Sequence, residues 1–260
     1  MADPAARAYH AALPVDRIAF LGHATVLIEL DGVRLLTDPL LRGRVAHLRR
    51  HSPPVDQGAV AAPDAVLISH LHHDHLDLAS LRRLGRDTRL LVPAGSGEWL
   101  ARKGFTDVRE MRVGDVARVA GLAVSAVEAR HDGRRAGGPS ADTLGYLIRG
   151  RRAVYFAGDT ELFDDMATLA PLDVALLPVA GWGPTLGPGH MDALDAARAA
   201  ALIRPRLAIP VHWGTLLPIG LGRRHRAGLG DSARLFAEHV ERLAPEVEVR
   251  ILQPGQQTEL

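Results

Sequence analysis

Cysteine is absent from all 260 residues. Disulfides, thiolate metal sites and cysteine nucleophiles are thereby excluded, so any metal must be held by imidazole and carboxylate. Lysine is nearly absent as well: Lys103 stands alone, and arginine carries almost all the positive charge. A GC-rich coding sequence accounts for that bias. The formal net charge is only +1, which removes a global field as a reason to expect nucleic acid as a partner. No uncharged apolar run approaches the roughly 20 residues that a membrane span needs. The stretch from Met1 to Pro14 carries an early acid at Asp3 and lacks a long apolar core, so it does not read as a secretion signal. A cytoplasmic protein without a transmembrane segment is expected.

What is present supports a large core. Hydrophobic residues make up 47% of the chain, enough for one α/β domain spanning residues 1–260. Short β-branched runs at Arg17–Phe20, Ala24–Leu30 and Val33–Thr37 read as strands, the last two joined by the hairpin signal Asp31-Gly32. A basic, proline-containing loop, Leu41–Pro63, leads to a buried strand at Ala65–Ser69. Helices are expected over Leu76–Leu84, closed by Gly85, and over Ser96–Lys103, closed by Gly104. Between and after them come strands at Arg89–Val92, Val113–Val119, Leu122–Glu128, Thr143–Arg149 and Ala153–Ala157, with a helical pattern from Leu162. The second half alternates strand Val174–Pro178, helix Asp192–Ile203, strand Leu207–Val211, helix Ser232–Leu243 and strand Val247–Leu252. Hairpins followed by strand–helix units in each half predict two mixed sheets packed face to face with helices outside.

The polar residues of interest fall at strand ends. His70, His131, Asp159, His190 and His212 all sit at or just beyond expected strands, where layered α/β folds gather their ligand sites. The run His70-Leu71-His72-His73-Asp74-His75 is far more specific, and a metal explains its spacing. Residues two apart in an extended turn point the same way, so His70 and His72 can bind one ion. Asp74 and His75, on the turn into the helix, can face a second. The competing reading is a polar surface turn or a histidine helix cap. His73 should point away from its neighbours.

Two ions need further ligands, because a hydrolytic zinc keeps about three protein ligands and leaves a position for water. His131 is the natural partner of His70 and His72. Asp159, after Gly158, offers a carboxylate able to bridge two cations; the alternative is a helix N-cap. His212 and His190 compete for the last position, and the strand-end His212 is favoured because a ligand needs a fixed imidazole. His190 then suits a place beside substrate or oxyanion. His23 and Asp38 sit at strand ends close enough to steady the ligands from behind, with Asp38 a supplier of the carboxylate that metal-bound histidines need on their other nitrogen. His10, His47, His51, His225 and His239 read as surface residues. Arg42, Arg44, Arg49 and Arg50, then Arg134 and Arg135, then Arg223, Arg224 and Arg226, form basic clusters that could grip an anion or could simply be solvated surface.

On these residues the sequence resembles the metallo-β-lactamase fold superfamily, whose hallmark is the His-x-His-x-Asp-His run at His70–His75. Gly22-His23-Ala24-Thr25, Thr37-Asp38-Pro39, Gly158-Asp159-Thr160 and His212-Trp213-Gly214-Thr215 are most similar to the branch containing the ascorbate-phosphate lactonase and the N-acyl-phosphatidylethanolamine phospholipase D. The resemblance implies a four-layer αβ/βα sandwich. It implies one ion on His70, His72 and His131, another on Asp74, His75 and His212, and Asp159 between them. His190 would be a non-ligand histidine near the substrate, leaving Asp74 and His190 as the catalytic groups. The β-lactam-hydrolysing members match poorly, since their ligand set often uses a cysteine.

The expected activity is hydrolysis of an ester, lactone or phosphodiester bond of a small, anionic molecule, by hydroxide that a pair of divalent ions makes available near neutral pH. Zinc suits the donor set best, with manganese or iron as alternatives. A phospholipid or nucleotide phosphodiesterase is the alternative within the same chemistry. A non-catalytic metal-binding sensor is the alternative of another class, against which the full set of seven candidate ligands speaks.

Overall fold

The computed structural model describes residues 15–179, 187–220 and 230–260. The chain opens with an antiparallel meander, β1 (Arg17–Gly22), β2 (Thr25–Leu30) and β3 (Val33–Thr37). Asp31 and Gly32 both take positive φ (53° and 81°), the geometry of a two-residue turn whose twist matches the flanking strands. Two short strands, β4 (Arg44–Val45) and β5 (Leu48–Arg50), precede β6 (Ala65–Leu67), which returns parallel to β3. Helix α1 (Leu78–Leu84), strand β7 (Leu90–Pro93), helix α2 (Gly97–Arg102) and strand β8 (Val108–Met111) continue the parallel part. The second sheet follows: β9 (Val116–Val119), β10 (Leu122–Glu128), β11 (Leu144–Arg149) and β12 (Ala153–Phe156) are antiparallel neighbours. β13 (Val174–Pro178), α3 (Ala193–Ile203) and β14 (Leu207–Val211) extend it in parallel. β15 (Leu216–Pro218), α4 (Asp231–Leu243), β16 (Glu248–Val249) and β17 (Gln256–Glu259) complete the described chain.

Two seven-stranded sheets result, ordered β17-β1-β2-β3-β6-β7-β8 and β16-β14-β13-β12-β11-β10-β9, with a small third sheet β15-β5-β4. Their packing follows from side-chain alternation along each strand. Ile18, Phe20, Val26, Ile28, Leu35, Leu67 and Leu91 join the core shared with β10–β14, α3 and α4. Their neighbours Ala19, Leu21, Leu27, Leu36, Val66, Leu90 and Val92 face the opposite way, into the core with Leu81 of α1 and Leu100 of α2. Both faces of the middle of the first sheet are therefore covered, which is why strands such as β1, β6 and β7 read as continuous apolar runs rather than alternating ones. The layers are helix, sheet, sheet, helix: the four-layer αβ/βα sandwich that the sequence implies. Each fully buried Leu, Ile or Phe contributes roughly 1.5–3 kcal/mol, so polar chemistry is confined to strand ends.

Several elements depart from the sequence expectation. Leu41–Pro63 is not a plain loop; it holds β4 and β5, strands too short to carry a periodic signal. β8 and β17 are not expected from sequence because both are edge strands, Val-Arg-Glu-Met and Gln-Gln-Thr-Glu, whose polar side chains are mostly exposed. The strand expected over Val113–Val119 begins only at Val116, because Gly114 (φ 92°) and Asp115, whose carboxylate accepts from Arg112 N, make a turn. Val247–Leu252 reduces to Glu248–Val249, and the pattern from Leu162 closes as a 3₁₀ turn, Asp164–Leu169. No helix among the described residues is long and apolar enough to cross a membrane.

Candidate metal centre

One edge of the sandwich collects the polar strand ends. From the first sheet come His23 in the β1–β2 turn, Asp38 just after β3, and the segment from His70 to His75 after β6. From the second come His131 beyond β10, Asp159 beyond β12 and His212 directly after β14. His23, Asp38 and His212 all adopt positive φ (57°, 33° and 63°), a strained backbone for non-glycine residues that concentrates at functional sites. Gly158 (φ 63°) is required by space as well as conformation: a Cβ there would stand 2.7 Å from the Ser69 Cβ.

The histidine-rich segment folds into a turn, with His75 N and Leu76 N donating to His72 O at 3.1 and 2.8 Å. Asp77 then caps α1, its carboxylate accepting from Ser80 N at 3.0 Å. Three nitrogens converge on one side: His72 Nδ1 lies 3.0 Å from His70 Nε2 and 3.2 Å from His131 Nε2. Beside them, His23, Asp74, His75 and His212 bring their ligand atoms within 4.8 Å of one another. Asp159 stands between the two groups. Its Oδ1 is 3.3 Å from His212 Nε2, and its Oδ2 is 3.2 Å from His75 Nε2 and 4.0 Å from His70 Nε2.

Electrostatics keep four imidazoles neutral, favour the charged form of His75, and hold the carboxylates ionised. Burial, reinforced by His75, holds His70 and His72 below the usual histidine range. Burial likewise pulls His131 down to about 4 and His212 down to about 3. For His75 burial opposes the charge, but Asp159, Asp38 and Asp74 together lift it well above its usual value. Burial also works against ionisation of Asp74 and Asp159. The imidazoles of His75 and His23 beside Asp74, and of His212 and His75 beside Asp159, outweigh it and hold both carboxyls well below the carboxylate range. Contact with Asp159 raises His190.

The donor set fits divalent cations. Gly189 O can only accept, so the 2.9 Å bond to His131 requires the proton on Nδ1 and leaves Nε2 as a bare lone pair. The Ser69 hydroxyl donates to Asp38, so at 2.9 Å from His70 it can only accept, and His70 Nε2 is bare by the same logic. Both lone pairs aim at His72 Nδ1, which has at most one proton to give. Asp159 Oδ1 is buried with no hydrogen-bond donor. Four zinc ligands at about 2.0–2.1 Å in tetrahedral array stand about 3.3 Å apart, close to the spacings in both groups. Asp159 is not a helix N-cap: Phe163 occupies that position before the 3₁₀ turn.

The geometry also sorts the remaining residues. His190 Nε2 lies 3.5 Å from Asp159 Oδ2, and its Nδ1 faces Gly187 O and Pro188 O at 3.1 and 3.2 Å. His73 is exposed, as expected. His47 is exposed, but His51 and His239 are half-buried, so a plain surface reading does not hold for those two. His10 and His225 lie outside the described residues. Four arginines of the basic clusters are tied to the protein itself. Arg50 is buried and donates to Leu21 O, Leu40 O and Ser52 Oγ. Arg42 pairs with Asp77 at 2.7 Å, and Arg134 pairs with Asp132 at 2.6 Å. Arg135 reaches Leu71 O and Leu76 O, pinning the histidine turn from outside. Arg44 and Arg49 are exposed, and Arg223, Arg224 and Arg226 lie outside the described residues. Sequence reasoning missed Ser69, Thr215 and Gly189. Their signal is only adjacency, since each flanks a candidate ligand in the chain or in space.

Comparison with known proteins identifies the family. Residues 33–213 match the family model of the beta-lactamase superfamily domain. The chain is 36% identical over 255 residues to a UPF0173 metal-dependent hydrolase of Methanopyrus kandleri, covering 94% of this chain and 99% of the relative. It is 30% identical over 229 residues to N-acyl-phosphatidylethanolamine-hydrolyzing phospholipase D 1 of Caenorhabditis elegans, covering 77% of this chain and 64% of that protein. Among solved structures, Igni18, a metallo hydrolase from Ignicoccus hospitalis, superposes with a TM-score of 0.73 at 27% identity, covering 95% and 99% of the two chains. CmlA, a diiron beta-hydroxylase from Streptomyces venezuelae, shares the fold at a TM-score of 0.71 and 22% identity, over 95% of this chain and 54% of that one. Histidine run, sandwich and relatives agree: the chain belongs to the metallo-β-lactamase superfamily and is one of its metal-dependent hydrolases.

Proposed function

We propose that the enzyme holds two divalent cations, zinc in the first instance, and hydrolyses an ester, lactone or phosphodiester bond of a small molecule. His70, His72 and His131 would hold one ion and Asp74, His75 and His212 the other, with Asp159 shared between them. The observation that carries this reading is the position of Asp159, whose two oxygens lie 3.3 Å from His212 and 3.2 Å from His75, the latter oxygen 4.0 Å from His70. Divalent cations at such a site polarise a carbonyl or phosphoryl oxygen and bring the pKa of a nearby water toward about 7.

The chain's own residues supply orientation and proton handling. His23 Nε2 donates to Asp74 Oδ2 at 2.9 Å, fixing a carboxylate that stays ionised and can serve as ligand and proton acceptor. His190 has its Nδ1 proton committed to Gly187 O and Pro188 O, so it can gain or lose a proton only at Nε2, the nitrogen that faces Asp159. That nitrogen suits a proton donor to a leaving group. The anionic preference inferred from arginine clusters loses its support from Arg42, Arg50, Arg134 and Arg135, which are tied to the protein itself. A phosphodiester is the second reading, favoured by the 30% identity to a phospholipase D. The same reading takes residues 1–260 as one hydrolase domain, supported by the pairing of β17 with β1.

Titration of metal-free protein with zinc, manganese or iron, followed by assay of a generic phosphodiester and a generic lactone, tests the proposal. Turnover of either, rising with bound metal, is the expected result. Metal binding with turnover of neither would favour a sensor.

A further inference from the structure

Behind the two groups of ligand atoms lies a buried carboxylate that reaches both. Asp38 is fully buried, and its backbone is fixed by donation from its N–H to Leu67 O at 2.9 Å and from Thr25 Oγ1 to its own carbonyl at 2.9 Å. Its Oδ2 accepts from His75 Nδ1 at 2.7 Å and from the Ser69 hydroxyl at 2.6 Å, while its Oδ1 accepts from Ser69 N at 2.7 Å. The Ser69 hydroxyl, its one proton spent on Asp38, accepts from His70 Nδ1 at 2.9 Å. One carboxylate thus orients one histidine of each group, His75 directly and His70 through a serine.

We infer that Ser69 is a positioning residue that locks His70 with its proton on Nδ1 and its Nε2 lone pair facing His72 Nδ1, and so supports one metal position without supporting the other. The inference rests on the two-ion reading above. Hydrogen-bond direction fixes the tautomer. An ionised carboxylate is acceptor-only, a hydroxyl carries one proton, and a neutral imidazole has one N–H. With Asp38 at the end of the chain, every proton in it points the same way, from His70 to Ser69 to Asp38. Without the hydroxyl, His70 loses its acceptor and can place its proton on Nε2, where it would block coordination. His75 keeps its own bond to Asp38, and His131 is oriented independently by Gly189 O, so neither depends on Ser69. Outer groups of this kind commonly change metal affinity by about 10- to 100-fold.

The test has two arms. In the metal-free wild-type protein at neutral pH, long-range proton–nitrogen NMR of the histidine rings is expected to show His70 as the Nδ1–H tautomer, and Ser69→Ala to shift it toward Nε2–H. A wild-type His70 carrying its proton on Nε2 would overturn the inference. In calorimetric zinc titration with elemental analysis, Ser69→Ala is expected to weaken one of two sites by about 10- to 100-fold and leave the other within about twofold. Equal weakening of both sites, or of neither, would also overturn it. Failure of the underlying reading looks different: wild-type protein would then bind no zinc at all.

Discussion

At the residue scale, the site depends on which nitrogen and oxygen atoms are left without protons. Asp159→Ala removes the carboxylate shared by the two groups, and His72→Ala removes the nitrogen on which His70 and His131 converge. Each variant is expected to lose at least one bound ion and essentially all activity while still unfolding cooperatively. Elemental analysis beside a thermal melt checks this, and unchanged metal stoichiometry in both would remove the assignment. His190→Ala is expected to keep its metal and lose about 10²- to 10⁴-fold in rate, the usual size of a proton-transfer contribution. Loss of an ion in that variant would mean that His190 and His212 have exchanged roles. Much of this was legible in the chain. The six-residue run His70–His75 contains four candidate ligands at fixed spacing, and His131, Asp159 and His212 follow strands that apolar runs announce. Ser69 was not legible, because a serine beside a histidine carries no signal until the fold brings Asp38 to within 2.6 Å of it.

At the scale of elements, strand ends deliver the candidate ligands and small structures brace them. The three-stranded sheet of β15, β5 and β4 is the brace for the β1–β2 turn. Arg50, at the end of β5, donates to Leu21 O at 3.0 Å and Leu40 O at 2.7 Å, while Thr215, just before β15, accepts from His23 N at 2.7 Å. Burial pulls the Arg50 guanidinium down to about 10, which still leaves it charged at neutral pH. Arg50→Met is expected to cost about 2–6 kcal/mol in urea unfolding, because it leaves two buried carbonyls without donors at about 1–3 kcal/mol each. A change below about 0.5 kcal/mol would show that the brace does not matter. Sequence alone leaves these arginines open between an anion grip and a solvated surface. Nothing local distinguishes a buried Arg50 from an exposed Arg49; the difference is strand alternation in a two- to three-residue strand too short to show a period. Strands such as β13 and β14 were legible for the opposite reason, since they are buried on both faces and their apolar runs are unbroken.

At the scale of the whole molecule, the site makes folding depend on pH and metal together. His70, His72, His131 and His212 stay neutral in the fold below the usual histidine value near 6.5, two of them down to about 4 and about 3. The unfolded chain binds protons at these histidines as pH falls through about 6.5, while the folded chain resists, so their effect is to destabilise the metal-free fold progressively from there to about pH 3–4. Asp74 and Asp159, held low, lose their stabilising effect only below the usual carboxylate range. His75 acts in the opposite sense, stabilising most at low pH. With four histidines against His75 and His190, melting of metal-free protein is expected to move to lower temperature between pH 7 and pH 5. A flat profile would contradict the burial described here. Bound metal adds stability by mass action, so chelation at pH 7 is expected to lower the melting temperature as well. The two-layer sheet pairing was legible from alternating hairpins and strand–helix units. The edge strands β8 and β17 were not, because their polar side chains face solvent and obey no core pattern.

The central claim is that imidazoles and carboxylates from both sheets meet to hold a pair of cations. Elemental analysis of purified protein, as isolated and after zinc reconstitution, tests it most directly. The account predicts two equivalents of divalent transition metal per chain. Protein that contains none, and takes up none on reconstitution, would contradict it.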